Sequence, residues 1–391
     1  MPVQYQSESD FWVRNTLNLC VLPTGSKPFV PKRLLTQWHV TEKCNLSCQH
    51  CYQSSQPFTQ EMSFDDDLQV LSGIVSLLKE WGVRGHINFT GGEPFLKSSF
   101  MALLRKVYEH RNICGFAVLT NGSLIDVGMA KELKRLGCRF VQVSLDGNSG
   151  CHDQIRGGGN FQKTVDAIKI LRRQRLRVLV SFTAHRKNID GFSELADVCQ
   201  KLGVDMLWSD RLLPHGRGEA MRDELLTPCE LEAFFETMYQ ANVSLDKRWF
   251  NKTTVGMHRA LQFLVLKKHG HKDAVPYTCH AGRSLLTILP SGQVLPCRRM
   301  PIVVGDLKQE SLGQIYYKSV LLRQLRNRQR ITEGCEPCEH ATLCNGGLRC
   351  MAYAYHGTPF KADPQCFKIY NELPVQTKEK SYDEGKYCRI P

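Results

Sequence analysis

Through residue 240 the chain alternates short apolar or β-branched runs with longer segments of helical period, the pattern of consecutive βα units. Six runs mark strands: LLTQWHV ending at Val40, HINFT from His86 to Thr90, GFAVLT from Gly115 to Thr120, FVQVSL from Phe140 to Leu145, VLVSFTA from Val178 to Ala184, and DMLWSDRLL from Asp205 to Leu213. Between them helices are predicted around 65–80, 97–110, 127–137, 161–174 and 191–202, each carrying a Leu, Ile, Val or Ala stripe. Strands joined by helical crossovers lie parallel, with both faces of the sheet covered. A complete barrel needs eight units, so six predict an α/β fold with a partial (β/α)6 barrel; a doubly wound sheet is the alternative. In either topology function collects in the loops after the strands, and Cys44, Gly91 to Pro94, Asn121 and Asp146 all fall there.

A helical stretch then runs from roughly 228 to 269, and beyond it the texture changes to short strands, Gly and Pro turns and dense cysteine. This predicts an N-terminal extension over 1–34, the partial barrel over 35–240, a helical linker over 241–278, a C-terminal Cys-rich domain over 279–370 and a polar tail over 371–391. The 391 residues contain 17 cysteines, an odd number, and the start MPVQYQSESD lacks the basic and apolar regions of a secretory signal. No apolar run approaches the ~18 residues of a membrane span. A cytoplasmic protein is expected, where clustered thiols bind metal more often than they pair. The formal charge of 51 minus 38, or +13, suggests an anionic partner without identifying one.

TEKCNLSCQHCYQ places Cys44, Cys48 and Cys51 with three and then two intervening residues, directly after the first strand. One loop can thus aim three soft thiolates at a single metal center, and on a 4Fe-4S cluster three ligands leave one iron open. A closed zinc site completed by His50 and a set of plain buried thiols are the other readings. CNLSCQHCY also resembles the CxxxCxxC signature of radical S-adenosylmethionine enzymes, including the aromatic after the last cysteine. The resemblance extends through FTGGEP, with Gly91, Gly92, Glu93 and Pro94, to TNG, with Asn121, SLDG, with Ser144 and Asp146, and LPHGRG, with Arg217. It implies that GGEP receives the methionine amino group of S-adenosyl-L-methionine, that Asn121, Ser144 and Asp146 contact its carboxylate or ribose, and that Arg217 belongs to a polar cofactor-binding segment at the sixth strand. It further implies a 5′-deoxyadenosyl radical that abstracts hydrogen from an unactivated carbon, chemistry that side chains alone do not perform.

The C-terminal series is Cys279, Cys297, Cys335, Cys338, Cys344, Cys350 and Cys366. CEPCEHATLC packs three thiols into ten residues, which a zinc ribbon would also do. The series resembles the SPASM extension of radical S-adenosylmethionine enzymes: a first Cys, a Gly-x4-Cys unit from Gly292 to Cys297, Cys-x2-Cys-x5-Cys, and two further cysteines. The resemblance implies two auxiliary 4Fe-4S clusters, and so three in all. One would take Cys335, Cys338, Cys344 and Cys366; the other would take Cys279, Cys297 and Cys350, with Cys388, Cys229, His280 or substrate at its fourth position. CNGGLRC departs from the pattern, since five residues rather than three separate Cys344 from Cys350. Cys114, Cys138 and Cys199 lie at helix-to-strand junctions and read as small buried hydrophobes.

Relatives with this extension imply a ribosomal peptide or protein as substrate, and a flavodoxin-like or ferredoxin-like electron donor as partner. A carboxylated small molecule or tetrapyrrole is the alternative, its acids held by Arg298 with Arg217; a non-enzymatic electron-transfer or scaffold protein is the third reading. Sulfatase maturation is disfavoured, because Arg298 stands where that activity places an acidic residue. About 43 residues precede Cys44, fewer than a leader-binding domain of ordinary size needs. The basic runs 172–177 and 323–330 could bind carboxylates or form solvated helix faces. No RNA-binding module is recognisable, so nucleic acid is not expected. Asn242-Val243-Ser244 and Asn251-Lys252-Thr253 are read as chance glycosylation matches.

Overall fold

The six expected strands form as β1 (Arg33–His39), β2 (Arg84–Thr90), β3 (Cys114–Thr120), β4 (Val141–Ser144), β5 (Val178–Ala184) and β6 (Met206–Arg211) in the computed structural model, which describes residues 29–53 and 60–372. They pair in chain order and all in parallel. The register sets His39 beside Thr90, Thr120 beside Val143, and Ser144 beside Ser181. The strands therefore end on a common rim, and the loops that follow them converge there. β1 and β6 do not close on each other, which makes this the open, partial (β/α)6 barrel.

The periodic segments form α1 (Phe64–Trp81), α2 (Phe100–Glu109) and α3 (Val127–Arg135). A short α4 (Ser149–Arg156) precedes α5 (Asn160–Arg173) and α6 (Phe192–Lys201). Helix α1 shows why they form. The Ser63 hydroxyl accepts from the Asp66 amide while the Asp66 carboxylate takes the Ser63 amide, and Gly82 ends the helix at φ +64°. Its Val70, Leu71, Ile74, Val75, Leu77 and Leu78 are buried, each contributing about 1.5–3 kcal/mol. The unanticipated α4 is eight residues of SGCHDQIR in which only His152 and Ile155 are buried, too short and polar to show a stripe.

Segment 241–278, expected as a helical linker, is interrupted by a strand. Helix α7 (Pro228–Asp246) is followed by β7 (Thr254–Gly256), parallel to β6, and then by α8 (Gln262–Lys268). Polar anchors position β7: the Asn242 side-chain oxygen accepts from the Val255 amide at 2.8 Å, and the Thr253 hydroxyl donates to the Val204 carbonyl at 2.6 Å. Both side chains belong to the N-x-S/T matches and both are buried, which gives those residues structural roles.

The Cys-rich third continues the same sheet. β8 (Leu285–Ile288) pairs in parallel with β1, from Leu35 beside Leu285 to Trp38 beside Ile288. β9 (Gln293–Leu295) and β10 (Gly305–Asp306) follow antiparallel, completing ten strands. An open barrel leaves the β1 edge unpaired, and β8 covers it. The basic run 323–330 is largely internal bracing. Arg326 donates to the Gly282 and Tyr316 carbonyls, Arg328 to the Thr278 hydroxyl, and Arg330 stacks 4.0 Å over Phe360. Among the described residues no helix is long and apolar enough to cross a membrane.

Candidate functional site

At the rim, the loop after β1 lies against the segment after β2. The Gly92 amide donates to the Thr41 carbonyl and the Glu93 amide to the Lys43 carbonyl, both at 2.8 Å. A Cβ on Gly91 would stand 2.3 Å from the Thr41 oxygen, and one on Gly92 2.2 Å from the Lys43 oxygen. Only glycine permits this approach, which presses GGEP onto the backbone just before Cys44. On the opposite side, the Gly218 amide donates to the Cys51 carbonyl at 3.1 Å, and Gly216 packs where a Cβ would be 2.3 Å from the Gln53 oxygen. LPHGRG is thereby held over the cysteine loop, with Arg217 beside it.

These contacts enclose a cavity of about 360 Å³ whose lining includes Cys44, Cys48 and Cys51, then Gly91, Gly92, Asn121 and Ser144, and Arg217 and Arg298. That size lies within the range of small-molecule sites. Glu93 and Pro94 are buried behind the wall. The Glu93 carboxylate accepts from the Thr120 hydroxyl and the Asn121 amide, each at 2.8 Å, and burial pushes it up to about 7 despite those bonds. Glu93 thus ties β2 to β3. Asn121 reaches the cysteine loop directly, donating to the Asn45 side-chain oxygen at 3.0 Å.

Asp146 differs from its expected place as a cofactor contact. It is fully buried: one carboxylate oxygen accepts from the Thr183 amide at 2.8 Å, and the other takes His50 at 2.8 Å and Arg156 at 2.5 Å. Burial alone would raise its pKa, but Arg156 and His50 hold it well below the usual carboxylate range. Arg156 and His50, rather than Asp146, line the cavity, and Arg156 places a guanidinium nitrogen 3.7 Å from the Cys48 sulfur. Neither role is evident in the sequence. His50 is read there only as a zinc ligand, and Arg156 ends the overlooked helix α4.

The thiols fall into three sets. Burial pushes Cys44 and Cys48 up, and Cys51 adds to the rise at both. Cys335, Cys338, Cys344 and Cys366 line a second, small cavity, and burial pushes Cys335, Cys344 and Cys366 up to about 12. Burial also raises Cys350 to about 12, with Arg299 opposing and Cys297 and Cys279 adding to the rise. The insertion in CNGGLRC forms a turn, and Cys350 keeps Cys297 and Cys279 as its thiol neighbours. Asn345, Gly346 and Gly347 have φ values of +54°, +87° and +72°, a left-handed turn around Asp363 that leads to Cys350 on α9 (Arg349–His356). Cys388 lies outside the described residues. The other fourth-ligand candidates are Cys229, at the start of α7, and His280, whose ring meets the Ser284 hydroxyl at 3.1 Å.

Buried thiols resist ionisation, and a metal that replaces their protons relieves that cost. Among the described residues no three donors converge on a single ion. A cubane binds each thiolate through a different iron, so its ligands need not converge in that way. The donor sets suit iron–sulfur clusters, and the glycine-lined cavity beside Cys44 suits a polar cofactor.

Two further rim residues are not singled out in the sequence although they lie within a predicted strand and end β6. Asp210 pairs with Arg299, and Arg211 with Asp363, so both join β6 to the Cys-rich third. Burial tends to raise Asp210, but Arg299 and Arg259 bring it down to about 2. Arg298 and Arg217 differ from these arginines: among the described residues neither forms an ion pair, and Arg298 lies 5.6 Å over the Tyr52 ring.

Comparison with known proteins agrees with this architecture. The family model of the radical SAM superfamily matches residues 38–199, and that of SPASM, an iron–sulfur cluster-binding domain, matches residues 279–339. Mycofactocin maturase MftC of Mycolicibacterium smegmatis is 30% identical over 361 residues, covering 88% of this chain and 84% of the relative. An AdoMet-dependent heme synthase of Nitratidesulfovibrio vulgaris is 26% identical over 357 residues, covering 86% of this chain and 92% of the relative. In fold, the chain resembles Streptococcus suis SuiB bound to S-adenosylmethionine, with a TM-score of 0.67 at 16% identity over 85% of this chain and 77% of that one. An open (β/α) barrel with a three-cysteine loop at its rim, continued into a Cys-rich extension, therefore places this chain in the radical SAM superfamily as an enzyme with a SPASM iron–sulfur domain.

Proposed function

We propose that this enzyme modifies a carboxylated small molecule of the tetrapyrrole class, reversing the order of preference drawn from the sequence. The observation that carries the reading is the pair of cavity arginines, Arg298 and Arg217, neither of which forms an ion pair among the described residues. A guanidinium facing a partly dry cavity favours a bidentate carboxylate. Relatives named as heme, Fe-coproporphyrin III and pre-heme d1 synthases support the same class. Peptide maturation remains a second reading, supported by the 30% identity to the mycofactocin maturase.

In this proposal Cys44, Cys48 and Cys51 hold the radical-generating cluster, and S-adenosyl-L-methionine lies along Gly91, Gly92, Asn121 and Ser144. Cys335, Cys338, Cys344 and Cys366 hold one auxiliary 4Fe-4S cluster, and Cys279, Cys297 and Cys350 hold another, for three in all. An acidic flavodoxin-like or ferredoxin-like protein supplies the electron. When bound, the first cluster and its cofactor supply the 5′-deoxyadenosyl radical; the chain's residues orient the substrate and exclude water.

The test is anaerobic reconstitution followed by titration with Fe-coproporphyrin III, read by its visible absorption band. A saturable band shift is expected, together with 5′-deoxyadenosine release under dithionite. Arg298→Ala should weaken binding about tenfold, the loss of roughly one charge-assisted contact. No band shift, with 5′-deoxyadenosine release stimulated only by a precursor peptide, would favour the second reading.

A further inference from the structure

Arg283 follows Cys279 by four residues and is 5% exposed, yet its Nε and Nη1 have no hydrogen-bond partner. Arg349, also 5% exposed, directly precedes Cys350, and its Nη1 reaches only the Pro359 carbonyl at 3.4 Å. Arg328 donates from Nη2 to the hydroxyl of Thr278, the residue before Cys279, and leaves its own buried Nε unpartnered. No carboxylate pairs with any of the three among the described residues.

Three guanidinium groups so placed repel one another and have lost much of their hydration. Burial lowers the pKa of Arg283, the neighbouring Arg328 and Arg349 lower it further, and Tyr316 and Cys279 oppose them. Buried charge persists where an opposite charge balances it. The anion available at Cys279, Cys297 and Cys350 is a thiolate-bound cluster.

We propose that Arg283, Arg328 and Arg349 form a cationic cradle for the cluster at Cys279, Cys297 and Cys350, and that they raise its reduction potential. The proposal rests on the three-cluster reading given above. Reduction adds one electron, so the reduced cluster gains more from nearby positive charge than the oxidised one. At the four-thiol cavity no such unpaired set stands among the described residues: Asp363 is itself paired with Arg211, so that pair adds no net charge. The two auxiliary clusters would therefore differ in potential although both are cysteine-bound.

The test is an anaerobic redox titration of the holoenzyme followed by electron paramagnetic resonance, with iron and sulfide content measured in parallel. In Arg283→Met and Arg328→Gln, one auxiliary signal should shift to a more negative midpoint while the others stay in place. Arg283→Lys should restore the wild-type midpoint. Full iron content with an unchanged midpoint in both neutral variants would overturn the cradle. Wild-type iron short of the third cluster would overturn the three-cluster reading instead, so the two failures are separable. If Arg283→Met loses the cluster, retention in Arg283→Lys supports the role of charge, and equal loss in both overturns it.

Discussion

Arg211, the last residue of β6, holds both carboxylate oxygens of Asp363, at 3.0 and 2.5 Å, with both side chains buried. Asp363 also accepts from the Leu348 and Gln365 amides. One ion pair thus connects the cavity wall to the turn that carries Cys344. Asp363→Ala would leave a buried guanidinium unpaired at a cost of about 3–5 kcal/mol. A lower unfolding midpoint is expected, with iron lost from the four-thiol group. Wild-type stability and iron content in that variant would show that the pair does not brace the site.

Gly92→Ala tests the glycine cradle. Its Cβ would meet the Lys43 oxygen at 2.2 Å, and backbone on both sides leaves little room to yield. Displacing the loop before Cys44 by about 1 Å should reduce 5′-deoxyadenosine formation roughly 10²-fold. Measurement with dithionite as reductant isolates this effect from the natural electron donor.

Gly347 and Gly357 form a matched pair, with φ of +72° and +69°. A Cβ on Gly347 would lie 2.7 Å from the Asp363 Cβ, whereas nothing stands within 4 Å of one on Gly357. Gly357→Ala should cost only the left-handed strain of about 1–2 kcal/mol. Gly347→Ala should cost more and reduce iron in the four-thiol group. Equal melting shifts in the two variants would refute the packing argument.

Asp67 gives a pH dependence away from any thiol. Burial pushes its carboxyl up to about 6, although Lys97 Nζ lies 2.5 Å away. The folded state therefore binds the proton more tightly than the unfolded chain. Stability from this group is present below the unfolded value of about 4 and falls as pH rises to about 6, by at most about 1.4 kcal/mol per unit. Asp67→Asn should flatten that segment of an anaerobic melting curve taken across pH 4–7, and an unchanged slope would discount it.

Much of the site was legible because its parts are local. Cys44, Cys48 and Cys51 share one loop, and Gly91 and Gly92 directly follow a strand whose period is evident. Cys350 could be grouped with Cys279 and Cys297 only by resemblance, because they lie 71 and 53 positions away in sequence. Asp146 has an ordinary motif position, but its buried environment lies in Arg156 and Thr183, 10 and 37 residues away in sequence.

The sequence by itself determined the six βα units, the rim where their loops meet and the three-cysteine loop, because hydrophobic period and motif spacing act over a few residues. Tertiary structure decided that the Cys-rich third extends the barrel sheet through β8 on β1. It also decided which arginines are neutralised: Arg211 by Asp363, Arg299 by Asp210, and Arg156 by Asp146. Arg298 and Arg217 line the same cavity with the same charge, but the distance to a partner, which no linear pattern records, leaves them without an ion pair among the described residues.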